Sequence, residues 1–205
     1  MPVVVVANPK GGVGKSTIAT NIAGYYASRG HQVMLGDADR QQSSLLWLRL
    51  RPPEARPISS WEVHKDKLAR PPKGTTHVVL DTAAGLHGRM FQEALKLADK
   101  VVVPLSPSIF DIYATRNFVD QLAQHGKASR MQVGIIGTRV DSRTIAAEKL
   151  QEFVGGLGLP VLGLLRPTQN YVHLAARGLT LWDLAPGKVE RDLEQWEGIC
   201  HWLDA

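Results

Sequence analysis

Eight consecutive residues, Lys10-Gly11-Gly12-Val13-Gly14-Lys15-Ser16-Thr17, combine three glycines, two lysines and two hydroxyls. Placed between a strand and a helix, such a run can hold a nucleoside triphosphate. Glycines let successive backbone N–H groups curl around phosphate oxygens, where a Cβ would block the turn or the approach. A helix opening near Lys15 adds unpaired N–H groups and the positive end of its dipole. Lys15 then faces the β- and γ-phosphates, the Ser16 hydroxyl reaches Mg2+, and Thr17 reaches the α-phosphate. The competing reading is a glycine-rich turn with an incidental lysine. The Gly-Lys-Ser-Thr register after an apolar run favours the phosphate loop.

Carboxylates stand at two other points where apolar runs end. Asp37-Ala38-Asp39-Arg40-Gln41 follows the run at 32–35, and Asp81 closes His77-Val78-Val79-Leu80-Asp81-Thr82. Apolar residues seat the second run in a sheet, and its carboxy end delivers Asp81 beside a nucleotide-bound Mg2+. Asp37 and Asp39 alone are equally readable as a capping pair. Gly85 and Gly88 leave the loop after Asp81 free to sense a γ-phosphate. The seven histidines show no metal-ligand spacing, and His31, His77 and His87 read as surface or strand-edge residues.

The elements that must position these groups alternate. Strands are expected at 3–7, 32–35, 78–80, 101–104, 132–136 and 161–165. Helices are expected at 16–28, 91–97, 113–124 and 145–154. This alternation predicts an α/β fold, a mostly parallel twisted sheet with helices on both faces. The 205 residues suffice for one core, hence one domain over 1–205. Pro-rich connections at 51–57 and 70–72 bracket a segment around Trp61 to which the pattern assigns no element. At 189–203, Val189, Leu193, Trp196, Cys200 and Leu203 form one apolar helical stripe. Its polar face sets Glu190, Asp192, Glu194 and Glu197 against Arg191 alone. That acidity opposes a membrane-surface helix and favours packing on the chain's own core.

A hydrophobic fraction of 44% and a charged fraction of 21% are those of a soluble globular protein. The net charge of +5 permits weak polyanion binding. The single cysteine, Cys200, excludes an internal disulfide and a cysteine-held iron-sulfur cluster, and fits a cytoplasmic location. No run has the length of a membrane span, and residues 3–7 are too short for a signal sequence.

Pro9 occupies the position where the general phosphate loop has its first glycine, and a second lysine, Lys10, follows it. This variant resembles the deviant Walker A loop, Lys-Gly-Gly-x-Gly-Lys-Ser/Thr, of the ParA/MinD family of P-loop ATPases. The likeness extends over essentially the whole chain and is closest to short plasmid-partition ParA proteins that lack an N-terminal DNA-binding domain. It implies a single-domain P-loop NTPase that uses ATP and Mg2+. Lys10 would cross a nucleotide-sandwich dimer to the partner's phosphates, a cation supplied in trans like an arginine finger. Lys10, Lys15 and Asp39 would be catalytic, with Asp39 orienting the attacking water. Ser16, Asp37 and Asp81 would serve the metal. Gly11, Gly12, Val13, Gly14, Lys15, Ser16, Thr17, Arg139 and Pro167 would bind the nucleotide, Arg139 lying in a segment that closes over the base.

The stretch from Val103 to Asp111 is similar to a proline-containing family segment near the dimer face. It nominates Pro107, Ser108 and Asp111 as interface residues, unless Ser108 or Asp111 only caps a helix. Arg143 matches an arginine tied to sequence-independent DNA binding. A second such arginine falls near Asn170, where this chain departs, and Arg166, Arg177, Lys188 and Arg191 are the residues that could compensate. Arg40 replaces the family's proline in the first switch, and Ala83-Ala84-Gly85-Leu86 replaces the usual prolines of the second.

The resemblance thus implies a nucleoid-associated ATPase that pairs with itself on ATP, binds DNA without reading sequence, and is stimulated by a ParB-like or cargo-adaptor protein. Its cargo would be a plasmid, a chromosome or a protein assembly. The alternative within the same P-loop class is a synthetase of the cobyrinic acid diamide or dethiobiotin kind. The short chain and the lack of an amidotransferase cysteine speak against it. A membrane-bound MinD-like role is opposed by the acidic terminal helix.

Overall fold

Val3, Val4, Val5 and Val6 form strand β1 (Val3–Val6), and all four are buried. A strand apolar on both faces must be covered on both, which requires a central position in a layered fold. The computed structural model, which describes residues 1–64, 67–85, 88–126 and 130–205, places β1 in the middle of a seven-stranded sheet. Its other strands are β2 (Val33–Asp37), β3 (Ile58–Trp61), β6 (His77–Asp81), β7 (Lys100–Leu105), β8 (Gln132–Gly137) and β9 (Val161–Leu164). The order is β3-β2-β6-β1-β7-β8-β9, and every pairing is parallel. The expected α/β class and parallel sheet are therefore observed.

Successive side chains along each strand feed two separate cores, as a period of two demands. Val3, Val5, Val78, Leu80, Val101, Val103 and Ile135 pack on one side. There they meet helices α3 (Gly88–Leu97), α4 (Ile109–Ala123) and α5 (Ile145–Gly155). Val4, Val6, Val79, Val102 and Ile136 pack on the other side, against α1 (Lys15–Ser28), α2 (Ser43–Leu50), α6 (Asn170–Ala175), α7 (Glu190–Glu194) and α8 (Glu197–Asp204). Among the described residues no helix is long and apolar enough to cross a membrane.

The segment around Trp61 is an edge strand, β3, paired with β2 from Val33↔Ile58 to Gly36↔Trp61. Gly36 makes the contact possible, because a Cβ there would lie 2.8 Å from Trp61 Cε3. A two-stranded antiparallel ribbon follows, β4 (Val63–His64) with β5 (Lys67–Leu68). Helices α2 and α6 were also not anticipated.

The terminal stripe does not lie on one continuous helix. Regular helical hydrogen bonding is interrupted at Gln195 and Trp196, between α7 and α8, although both residues keep right-handed helical backbone angles. Two glycines let β9 and this segment approach closely. A Cβ on Gly163 would stand 2.7 Å from Gln195 O, and one on Gly198 2.5 Å from Leu162 O. Trp196, Ile199 and Leu203 still fill the core, so the segment packs on its own domain as expected. Asp192, assigned above to the polar face, is instead fully buried between Arg166 and Asn170. At the far end Lys100 Nζ caps α8, donating to Trp202 O at 2.6 Å and Leu203 O at 2.9 Å.

Candidate functional site

The carboxy ends of β1, β2 and β6 converge on the loop between β1 and α1. Asn8 anchors its entry: Nδ2 donates to Pro104 O at 2.8 Å and to Thr115 Oγ1 at 3.0 Å. Asn8 Oδ1 accepts from Lys10 N at 2.9 Å. Gly12 at φ 75° and Gly14 at φ 90° take left-handed conformations that a Cβ resists. From the far side Thr138 Oγ1 donates to Val13 O at 2.9 Å and Arg139 to Gly12 O at 2.7 Å. Arg139 does so from a left-handed conformation of its own, φ 53°.

Lys15 is buried at the first turn of α1, and its Nζ donates to Lys10 O at 2.7 Å. Burial pushes its pKa down, while the negative charges of Asp81 and Asp39 pull it back up. Ser16 and Thr17 follow it, half-buried.

Asp37 and Asp81 sit side by side as register partners of β2 and β6. Asp37 Oδ1 accepts from Asp39 N at 2.9 Å, and Oδ2 from Ser44 N at 2.8 Å and Leu45 N at 3.3 Å. Burial raises its pKa against those three N–H groups. The capping reading thus describes what Asp37 does here: it binds the amino end of α2. Asp39 is half-buried and accepts from Gln41 N at 3.0 Å. Asp81 is almost wholly buried, and burial pushes its carboxyl up to about 6 against the pull of the Ser16 and Ser44 hydroxyls and Lys15. Its Oδ2 accepts from Ser44 Oγ at 2.7 Å, whereas Oδ1 is buried with no hydrogen-bond partner. An orphaned carboxylate oxygen beside a phosphate-type loop calls for a ligand.

Next to this loop lies a cavity of about 190 Å3, lined by Thr17, Ile18, Arg139, Leu165, Thr168 and Tyr171 among others. Arg139, expected in a segment that closes over the base, is one of these lining residues. Pro167 is exposed and outside the lining, between Arg166 and Thr168, which line it. Leu165, Thr168 and Tyr171 were not foreseen, and the one signal for them was that ligands sit beyond the carboxy ends of parallel strands.

Lys10 Nζ lies 3.9 Å from Asp111 Oδ1 in the same chain, and the other Asp111 oxygen accepts from Ser106 Oγ. Ser108 precedes α4 without a side-chain capping bond. Pro107 is half-buried beside the exposed Ile109 and Phe110.

The basic candidates differ in availability. Arg143 is exposed but doubly bonded to Asp141, Nε at 2.9 Å and Nη2 at 2.8 Å, which holds the Asp141 carboxyl down at about 2. Arg166 Nε is 2.8 Å from the buried Asp192. Arg177 and Lys188 are exposed. Leu86, at the end of the loop expected to form the second switch, and His87, expected at the surface or a strand edge, lie outside the described residues.

Comparison with known proteins agrees with this geometry. Residues 4–181 match the family model described as the CobQ/CobB/MinD/ParA nucleotide binding domain. The carboxysome distribution protein A of Halothiobacillus neapolitanus is 28% identical over 189 residues, covering 87% of this chain and 86% of that protein. A putative plasmid partition protein of Borrelia burgdorferi, solved bound to AMPPNP, superposes with a TM-score of 0.73 at 17% identity, covering 98% of each chain. The cobyrinic acid a,c-diamide synthase of Mycobacterium smegmatis, solved with ADP and magnesium, gives 0.66 at 20% identity over 95% of this chain and 97% of that one. At such identities the structural likenesses establish the fold alone. Since the family model spans most of the chain, this protein belongs to the CobQ/CobB/MinD/ParA nucleotide-binding family, on its ParA/MinD side.

Proposed function

We propose that the chain is a Mg-ATP-dependent ATPase of the ParA kind that pairs with a second copy of itself and positions a cargo on DNA. The observation that carries this reading is the pair of lysines in one loop. Lys15 is buried against its own backbone, while Lys10 stands at the rim, its side chain 40% exposed. The ParA/MinD-like members of the family are ATPases that position cargo, and the Halothiobacillus relative is named for carboxysome distribution.

The residues present fit Mg-ATP. Gly12 and Gly14 supply the cradle, Lys15 the cation, and Ser16 with the unpartnered Asp81 Oδ1 the oxygens for a divalent ion. Ser16 and Asp81 would hold Mg2+, which would supply charge neutralisation at the phosphates. Asp39, half-buried in the loop that Asp37 anchors, is the group suited to orient a water. Arg139 and Tyr171 would flank the base, and Pro107, Ser108 and Asp111 the partner. Arg143, Arg177 and Lys188 supply phosphate contacts for DNA. Arg166 contributes less, being committed to Asp192.

The test is light scattering and DNA mobility shift with ATP, with ADP and at raised salt. The reading expects an ATP-specific dimer whose DNA affinity falls steeply with salt. Lys10→Ala should abolish the dimer while keeping nucleotide. A Lys10→Ala protein that still pairs and hydrolyses ATP normally overturns the trans arrangement. Turnover that depends on a small carboxylic acid, and on neither DNA nor a protein, would indicate a synthetase.

A further inference from the structure

We propose that Ser44 is a positioning residue. Its hydroxyl fixes the rotation of the Asp81 carboxyl so that the free oxygen faces the divalent cation of the nucleotide, and it ties that carboxyl to the first switch. The inference rests on the Mg-ATP reading above and extends it to a residue outside the phosphate loop.

Ser44 is fully buried in the first turn of α2. Two different parts of it bind two different carboxylates. Its backbone N–H donates to Asp37 Oδ2 at 2.8 Å, and its Oγ donates to Asp81 Oδ2 at 2.7 Å. The helix end does not need the hydroxyl, because Asp37 already accepts the N–H groups of Ser44 and Leu45. The serine O–H is a single donor, and it is spent on Asp81. Rotation about the last torsion of an aspartate is soft, so a hydrogen bond on one oxygen decides where the other points. Here that other oxygen, Oδ1, is buried and unpartnered.

The same residues form a line of communication. Asp37 Oδ1 holds the backbone of Asp39, Asp37 Oδ2 holds the amino end of α2, and Ser44 passes that placement to Asp81. A shift of the loop at Asp39 therefore reaches the metal-side carboxyl through two side chains.

The experiment is Mg2+ titration of the binding of a fluorescent ATP analogue to the full chain, with an EDTA arm for metal-free binding. Thermal melting of each variant runs alongside. Groups that orient a ligating residue typically contribute about 10- to 100-fold in metal affinity. Ser44→Ala should raise the half-saturating Mg2+ concentration about 10-fold, at the low end of that range, and leave metal-free binding within about two-fold. Ser44→Thr, which keeps the hydroxyl, should restore the midpoint to within about three-fold. If Ser44→Ala does not fold, Ser44→Cys keeps the volume with a much weaker donor and should show the same displaced midpoint. An unchanged midpoint in the alanine or cysteine protein overturns the proposal, as does a threonine protein as weak as alanine. A merely structural serine would lower the melting temperature without moving the Mg2+ midpoint. A wild-type protein that binds the analogue with no dependence on Mg2+ would sink the Ser44 role. One that binds no nucleotide at all would remove the ATPase reading beneath it.

Discussion

The ammonium of Lys15 rests 2.7 Å from the carbonyl oxygen of Lys10, so the second lysine of the loop is held by the backbone of the first. A carbonyl dipole compensates a desolvated ammonium only in part, and burial has moved the Lys15 pKa down accordingly. A triphosphate would complete that compensation with charge-assisted bonds of about 1.5–3 kcal/mol each. Lys15→Met should therefore lower affinity for an ATP analogue about 100-fold by calorimetry, the equivalent of about 3 kcal/mol. The same variant should melt higher than wild type without nucleotide, because a buried charge has been removed.

A second prediction concerns the base of α2. Arg51 meets Asp183 with two bonds, Nη1 to Oδ2 at 3.0 Å and Nη2 to Oδ1 at 2.9 Å, and both side chains are over nine-tenths buried. Arg51 also donates to Arg56 O and Gly178 O and lies over the Trp47 ring. Removing one partner leaves the other charge buried and alone, at a cost of about 3–5 kcal/mol. Asp183→Ala should show that loss in urea unfolding. It also strands the Thr180 N–H and hydroxyl, both bound to Asp183 Oδ2 at 2.8 Å. Replacing the pair together by Met and Leu should cost clearly less than the single change.

What the sequence made legible follows from how local each signal is. The glycine-rich loop and Asp81 occupy short runs, so their places at the carboxy ends of β1 and β6 could be read directly from the sequence. Strand β3 hid because Ile-Ser-Ser-Trp is short and exposes both serines, so it has neither an apolar run nor a clear alternation. Ser44 hid because its meaning lies in Asp81, 37 residues away, and no pattern links a serine after β2 to a carboxylate at the end of β6. The cavity beside the loop gathers Thr17 and Arg139 from two crossovers and Leu165 and Tyr171 from the segment after the last strand. Asp192 was misplaced because its charge alone put it on the polar face, whereas Arg166 and Asn170, distant in sequence, pair it in the interior beside Val189 and Trp196.

Gly24 offers a test of packing at a distance from the site. It lies mid-helix in α1, and a Cβ there would stand 2.4 Å from Thr180 Oγ1 and 2.6 Å from its Cγ2. Thr180 is fully buried and bonded to Asp183, so it cannot turn away freely. Alanine's better helix propensity returns up to about 1 kcal/mol, but overpacking costs about 1–3 kcal/mol. Gly24→Ala should be net destabilising, and Gly24→Ala with Thr180→Ser should recover part of the loss in thermal melting.

The last prediction is for acid. His77 stacks on His31 at 3.9 Å between ring centroids and on Tyr26 at 4.3 Å. Burial, then the positive charge of His31 and of the amino terminus, pushes its pKa down to about 4, with Asp204 opposing weakly. An unfolded histidine titrates near ~6.5, so between those values the unfolded chain binds the extra proton. The neutral ring's contribution to stability is therefore complete above pH ~6.5 and is lost as pH falls toward 4. Asp81, raised to about 6 by burial, works the other way over much of the same window, since its folded form takes up the proton first. The total stability curve mixes both, and only a difference between variants separates them. His77→Phe keeps an aromatic ring in the stack and removes the titration. Between pH 7 and 4.5 it should lose about 1–2 kcal/mol less stability than wild type in urea unfolding, allowing for the partial exposure of the ring. Parallel curves for the two proteins would mean that the stacked imidazole takes its proton as readily folded as unfolded.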